Sequence, residues 1–234
     1  APDPSPEPIP GLEGAADLLA SGDAAGALEQ LSRVPRPAAQ TPAWVTTQAL
    51  EARAARLSGD PARAVQALQP VIAWRSFSKA VAPEHIRMEY ARSLADLARQ
   101  PATPQAEADE LRRTADKHLR RALKHSPLRN LAEIRVERAW ILAELQGSGG
   151  SSTRVAALRA AKELERVIRD YPNHPKIGLM RLAQAQALAR GGRDPDAAEA
   201  YRSLAIARAG EPEAEQAWTE LGQLAEQSKR VTRR

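Results

Sequence analysis

Four histidines, His85, His118, His125 and His174, have the widest chemical reach of any side chains in this 234-residue sequence. Imidazole can bind a metal or move a proton near neutral pH. A metal needs several such ligands converging within bonding distance. His118 and His125 are seven residues apart in a helical stretch, which sets them two turns, or about 10 Å, apart. That is too far for a shared ion, so they are read as structural or surface residues. Glu84-His85 opens a helix, where a first-turn carboxylate is favourable without any catalytic duty. There is no cysteine, so thiolate metal sites and disulfides are excluded. "GSGGSS" (147–152) lacks the Lys and the strand–helix context of a phosphate loop and is read as a flexible linker. Its Ser151 and Ser152 have no His/Asp partner pattern. The sequence therefore offers no catalytic, metal or cofactor set. One charged feature stands out. Arg113, Lys117, Arg120 and Lys124 form a stripe opposite Leu111, Ala115, Leu119 and Ala122, as on a solvated amphipathic helix. An anionic polymer is the functional alternative for such a stripe.

The composition describes the elements that carry these residues. Aromatics make up 3% of the chain, and Ala, Leu and Arg dominate, which favours helix over sheet. The net charge is +5, and its excess is local: residues 101–180 hold 15 basic and 10 acidic residues, against 10 and 11 in residues 1–100. Nucleic acid is disfavoured as a partner because no aromatic platform accompanies the arginines. No apolar run reaches the 18 or so residues that a membrane span needs. Residues 1–10 place Pro at every second position, which gives an extended leader.

Spacing supplies the architecture. Ala27, Leu31 and Val34 repeat as Ala64, Leu68 and Val71, as Ala115, Leu119 and Ala122, as Ala160, Leu164 and Val167, and as Ala200, Leu204 and Ala207. Steps of four and three keep each set on one helix face. Pro127, Pro172 and Pro212 follow the last three copies at one common offset and turn the chain. A second helical segment precedes each copy, and Gly22-Asp23 and Gly59-Asp60 read as the end of one helix and the start of the next. The prediction is an all-α solenoid of about five antiparallel helix pairs plus a terminal helix. It occupies residues 11–228, between the leader and a basic tail at 229–234.

This pattern resembles the tetratricopeptide repeat (TPR). Trp218, Leu221 and Gly222 match the family's W-x2-L-G opening, and the A-x3-L-x2-[A/V] sets match its second helix with Leu in place of Phe. The Ala anchors lie 37, 51, 45 and 40 residues apart, longer than the family's repeat of about 34, so the repeats are degenerate. The resemblance implies a right-handed superhelix with a groove lined by the first helix of each pair, holding a protein or peptide. Taking Ala52, Ala95 and Ala143 as the small first-helix residues, it implies Arg53, Arg56, Arg92, Asp96, Arg99, Glu137, Trp140 and Glu144 as groove residues.

A second resemblance concerns enzymes. "GLMRLAQAQALA" (178–189) is similar to the GLMQ motif of soluble lytic transglycosylases, which cleave peptidoglycan. Neither Glu163 nor Glu165 upstream is followed by the family's Ser, and its Pro is missing, so the stretch is read as repeat helix. Those enzymes also carry a superhelical region of paired helices before the catalytic domain. The paired helices here, the leader and "SKRVTRR" are similar to that region and to cell-envelope repeat scaffolds. The alternative function is thus a substrate-guiding superhelix, with peptidoglycan or a neighbouring catalytic domain as partner. Both likenesses imply an exported, periplasmic or envelope-associated chain, with the cytoplasm as the other location.

Overall fold

The computed structural model describes residues 11–77, 82–145 and 151–232; the leader at 1–10 lies outside them. Eleven α-helices make up the described fold, with no strand among the described residues. They are α1 (Leu12–Ala20), α2 (Ala24–Arg33), α3 (Pro42–Leu57), α4 (Pro61–Ala73), α5 (Pro83–Ala98), α6 (Gln105–His125), α7 (Leu128–Glu144), α8 (Ser151–Asp170), α9 (Ile177–Arg190), α10 (Asp194–Ala207) and α11 (Pro212–Thr232). The expected five pairs and terminal helix are present. Two boundaries differ from expectation. Ser151 and Ser152 belong to the first turn of α8 rather than to a linker, and α11 runs through Thr232, taking in most of the basic tail.

Local signals explain the turns. Gly22 and Gly59 adopt φ values of 90° and 85°, a left-handed conformation that a Cβ would strain. The next residue caps the following helix in each case. The Asp23 carboxylate accepts from the Gly26 N–H at 2.8 Å, and Asp60 accepts from the Arg63 N–H at 3.0 Å. At α3 the Thr41 hydroxyl accepts from the Trp44 N–H at 3.2 Å, and Pro42 takes the first position, where no N–H is needed. Pro70 sits inside α4 near its end and is exposed, which limits the disruption an interior proline brings.

The contacts divide the chain into two compact units, Ala1–Pro127 and Leu128–Arg234. In the first, each of α1 to α4 packs on its successor, as does α5 on α6, and the odd-numbered helices also pack on one another, α1 on α3 and α3 on α5. The second unit repeats the scheme, with α7 on α9 and α9 on α11. The odd helices therefore lie side by side in each unit, while the closest packing is between successive helices. Leu12, Ala15, Leu19, Ala27, Leu31 and Ala54 build one core cluster in the first unit. Ala160, Leu164, Val167, Met180, Ala183 and Ala187 build one in the second.

The Ala-Leu-[Ala/Val] sets occupy these seams. Ala64, Leu68 and Val71 are fully enclosed, as are Ala160, Leu164 and Val167; Ala115, Leu119 and Ala122 nearly so. The last set departs from expectation. Ala200 is half-buried and Ala207 is exposed, while Ala197, Tyr201 and Leu204 are enclosed. The register is shifted by three residues, because the large Tyr201 ring takes the inward position and draws its own face of α10 into the core. Ala197-x3-Tyr201 keeps the spacing of the predicted set and puts an aromatic ring where the resembled family has Phe.

Trp218 also departs. It is 52% exposed on α11, while Ala214 and Ala217 are buried and Leu221 and Leu224 pack partly on the core. The GLMR stretch lies in α9 with Met180 and Leu182 buried, so packing accounts for its apolar residues.

Overpacking tests the register. Ala160→Leu and Ala197→Leu each insert an isobutyl group into a closed seam and should cost about 1–3 kcal/mol in urea unfolding followed by circular dichroism. Ala207→Leu should change stability by less than about 0.5 kcal/mol.

Candidate functional site

Within the first unit, α3 and α5 lie side by side and present a line of charged residues. Glu89, Arg92, Asp96 and Arg99 recur on α5 at steps of three and four, which keeps them on one stripe. Arg56 on α3 crosses to that stripe. Its Nε donates to Glu89 Oε1 at 2.5 Å and its Nη2 to Glu89 Oε2 at 3.4 Å, a two-pronged pairing. Its Nη1 donates to Asp96 Oδ2 at 3.4 Å, and Asp96 Oδ1 accepts from Arg99 Nη1 at 2.5 Å. The Arg56 and Glu89 side chains are only 15% and 12% exposed. Burial works against the Arg56 charge, but the hydrogen bond and charge of Glu89, with Asp96, outweigh it and raise the guanidinium pKa; neighbouring Arg92 opposes them.

The structure thus brings Arg56, Asp96 and Arg99 together through ion pairs. Arg53, one turn before Arg56 on α3, is exposed and forms no ion pair among the described residues. Arg92 is half-buried within the same stripe. Glu89 was not singled out from the sequence, although its spacing to Arg92 and Asp96 carried the signal. Glu51 was missed as well. It ties α3 to α4 through Arg63 Nη2 at 3.0 Å and reaches Arg36 at 3.6 Å.

The three remaining groove residues lie in the second unit. Trp140 packs against the core cluster around Leu164 and Met180 and is half-buried, as are Glu137 and Glu144. Arg190 of α9 donates to the Ala143 carbonyl and feels the charge of Glu144. A polar knot the sequence did not reveal joins α9, α10 and α11. Glu220 accepts from the Tyr201 hydroxyl at 2.6 Å, from Gln186 at 2.7 Å and from Gln216 at 3.0 Å. Burial, then Glu220, raises the Tyr201 pKa. The knot fixes the orientation of three helices.

His118 is buried on α6, edge-on to Tyr90 of α5 with ring centres 5.0 Å apart. Its Nδ1 lies 3.3 Å from Arg87 Nη1, where it accepts a hydrogen bond as the neutral ring. Burial foremost, then Arg87, Arg121 and Lys117, lowers its pKa to about 4. No group of three or more His, Asp or Glu among the described residues is arranged to hold a metal ion.

No protein-family model matches the chain, and no curated protein matches it. Solved structures do. The TPR-like repeats of a kinesin light chain protein of Podosopora anserina superpose with a TM-score of 0.55 over 82% of this chain and 90% of theirs, at 19% identity. A single-substitution variant of that protein gives the same values. At that identity the likeness shows the fold, a TPR-like series of helix pairs.

Two measurements follow from these contacts. Glu89→Ala strands the Arg56 guanidinium in a mostly buried place and should cost about 3 kcal/mol in urea unfolding, whereas Arg99→Ala, at an exposed pair, should cost about 0.5 kcal/mol or less. The unfolded chain binds a proton at His118 near pH 6.5 and the folded chain only near 4. The stability this group supports is complete above pH 6.5 and is lost as pH falls toward 4. Between pH 7 and 4.5, His118→Gln should lose about 2–3 kcal/mol less than the parent chain in paired urea titrations.

Proposed function

We propose that this chain is a non-catalytic helical-repeat scaffold that binds a protein or peptide partner on the odd-helix layer of its first unit. One observation carries the reading: Arg53, one turn before Arg56 on α3, is exposed and forms no ion pair among the described residues, while Arg56 and its partners are already locked by mutual ion pairs. Arg56, Glu89, Asp96 and Arg99 hold one another in place, so a partner meets a preformed polar surface and orders few side chains on binding. Arg53 remains to meet carboxylates or carbonyls of an extended segment. The TPR-like arrangement supports this reading, because a layer of adjacent parallel helices offers a long strip with side chains at regular intervals.

An envelope location belongs to the same proposal. Its support is in the sequence, in the alternating-proline leader and the likeness to envelope repeat scaffolds.

With the purified chain as bait, an envelope extract should yield a partner that the Arg53→Glu variant captures at least tenfold less well. Equal capture by both proteins removes the Arg53 surface. Capture from a cytosolic extract alone removes the envelope assignment.

A further inference from the structure

A second charged place lies on the other side of α5, where it meets α6. Arg87 of α5 is half-buried and held from two directions. The Phe77 ring lies against the guanidinium with its centre 4.8 Å from Cζ, and Nη1 reaches His118 Nδ1 at 3.3 Å. No carboxylate of the described residues comes within 4.0 Å of it. The charged group that Arg87 does feel is another cation, Arg121 of α6, and with burial this lowers its pKa. On α6, Arg121 lies one turn after His118 and Lys117 precedes it directly, and the charges of both act on His118 together with that of Arg87. Lys117 and Arg121, four apart on α6, are both exposed and form no ion pair among the described residues. Elsewhere along α6, Arg113 pairs with Glu110 at 3.2 Å and Arg120 with Asp116 at 3.1 Å, while Lys124, like Lys117 and Arg121, forms no ion pair among the described residues.

Gathering three cations without an anion costs free energy in an empty site and favours one that is filled. Arg87 contributes a planar fork held by a ring and an imidazole, and apart from the Nη1 contact to His118 its donors meet no acceptor among the described residues. Two exposed cations, Lys117 and Arg121, lie on the facing helix α6. A fixed fork suits an oxyanion with two acceptor oxygens. Three positive charges suit a dianion better than a single carboxylate, and a phosphate monoester carries about −1.5 to −2 at pH 7. A polyanion such as nucleic acid fits less well, because the uncompensated charge is confined to one spot and Phe77 and Tyr90 are buried rather than offered for base stacking.

We propose that Arg87, Lys117 and Arg121 form a binding site for a phosphate monoester, free or borne on a peptide. It is separate from the Arg53 surface and does not depend on it.

Calorimetric titration of the full chain at constant ionic strength tests this with four probes: inorganic phosphate, a phosphoserine peptide, its unphosphorylated twin and a single-stranded DNA oligonucleotide. Inorganic phosphate and the phosphopeptide should bind. Arg121→Gln and Lys117→Gln change exposed side chains, so folding is retained, and each should weaken binding about tenfold. Arg87→Gln, checked for helicity, should abolish it. Tighter binding of the phosphopeptide than of inorganic phosphate supports a peptide-borne group, and equal binding supports the free anion. The proposal is overturned if the unphosphorylated twin binds as well as its partner, if DNA binds tighter than either phosphate probe, or if the Arg121 and Lys117 variants bind unchanged.

Discussion

The contact of small alanines with neighbouring helices is the constraint on which this molecule rests. Several of its helices, such as α1 and α2 with 9 and 10 residues, are too short to hold themselves together in water, and helices in folded proteins draw most of their stability from burial against others. Ala27, Ala64, Ala115 and Ala160 are fully enclosed, and each leaves room for another backbone to approach. Leu and Val on the same face then fill the seam. With aromatics scarce, this close approach replaces the bulky anchors that other helical folds use. Within each unit the odd helices also touch one another, α1 on α3 and α3 on α5 in the first, α7 on α9 and α9 on α11 in the second.

The helix faces carry charge under tight control. On the α3–α5 side, Arg56, Glu89, Asp96 and Arg99 neutralise one another in fixed geometry, with the Arg56–Glu89 pair largely out of water. On the α5–α6 side, Arg87, Lys117 and Arg121 are left without a described counterion. One surface is preorganised and electrically quiet, and the other holds an unanswered positive charge. The same helix, α5, contributes to both, since Arg87 and Glu89 are two residues apart and point to different neighbours.

The helices were legible in the sequence because they rest on local chemistry. Glycine followed by aspartate fixes a turn wherever it occurs, and steps of four and three mark an inward face without tertiary information. The register of α10 was not legible. Its alanines at 197, 200 and 207 satisfy more than one spacing, and only the packing of Tyr201, with its hydroxyl on Glu220, decides which face turns inward. Trp218 misled for a related reason: the motif fits, but the residues buried on α11 are Ala214 and Ala217. The ion pairs were partly legible. Positions 53, 56, 92, 96 and 99 were singled out as groove residues by the likeness to the repeat family, but the pairing of Arg56 with Glu89 joins residues 33 apart and required the seating of α3 against α5. The cation cluster was hidden because Lys117 read as part of a solvated stripe, while Arg87 and Phe77 belong to other segments.

Amide hydrogen exchange at the seams tests the nesting of helix pairs most directly. If enclosed alanines lock successive pairs, the amides of Leu68 in α4 and Leu164 in α8 exchange only through cooperative opening, and are the slowest in their units. Amides in α1 and on the exposed side of α11 then exchange much faster. Rapid exchange at Leu68 and Leu164, at the rate of α1 or above, would contradict the account.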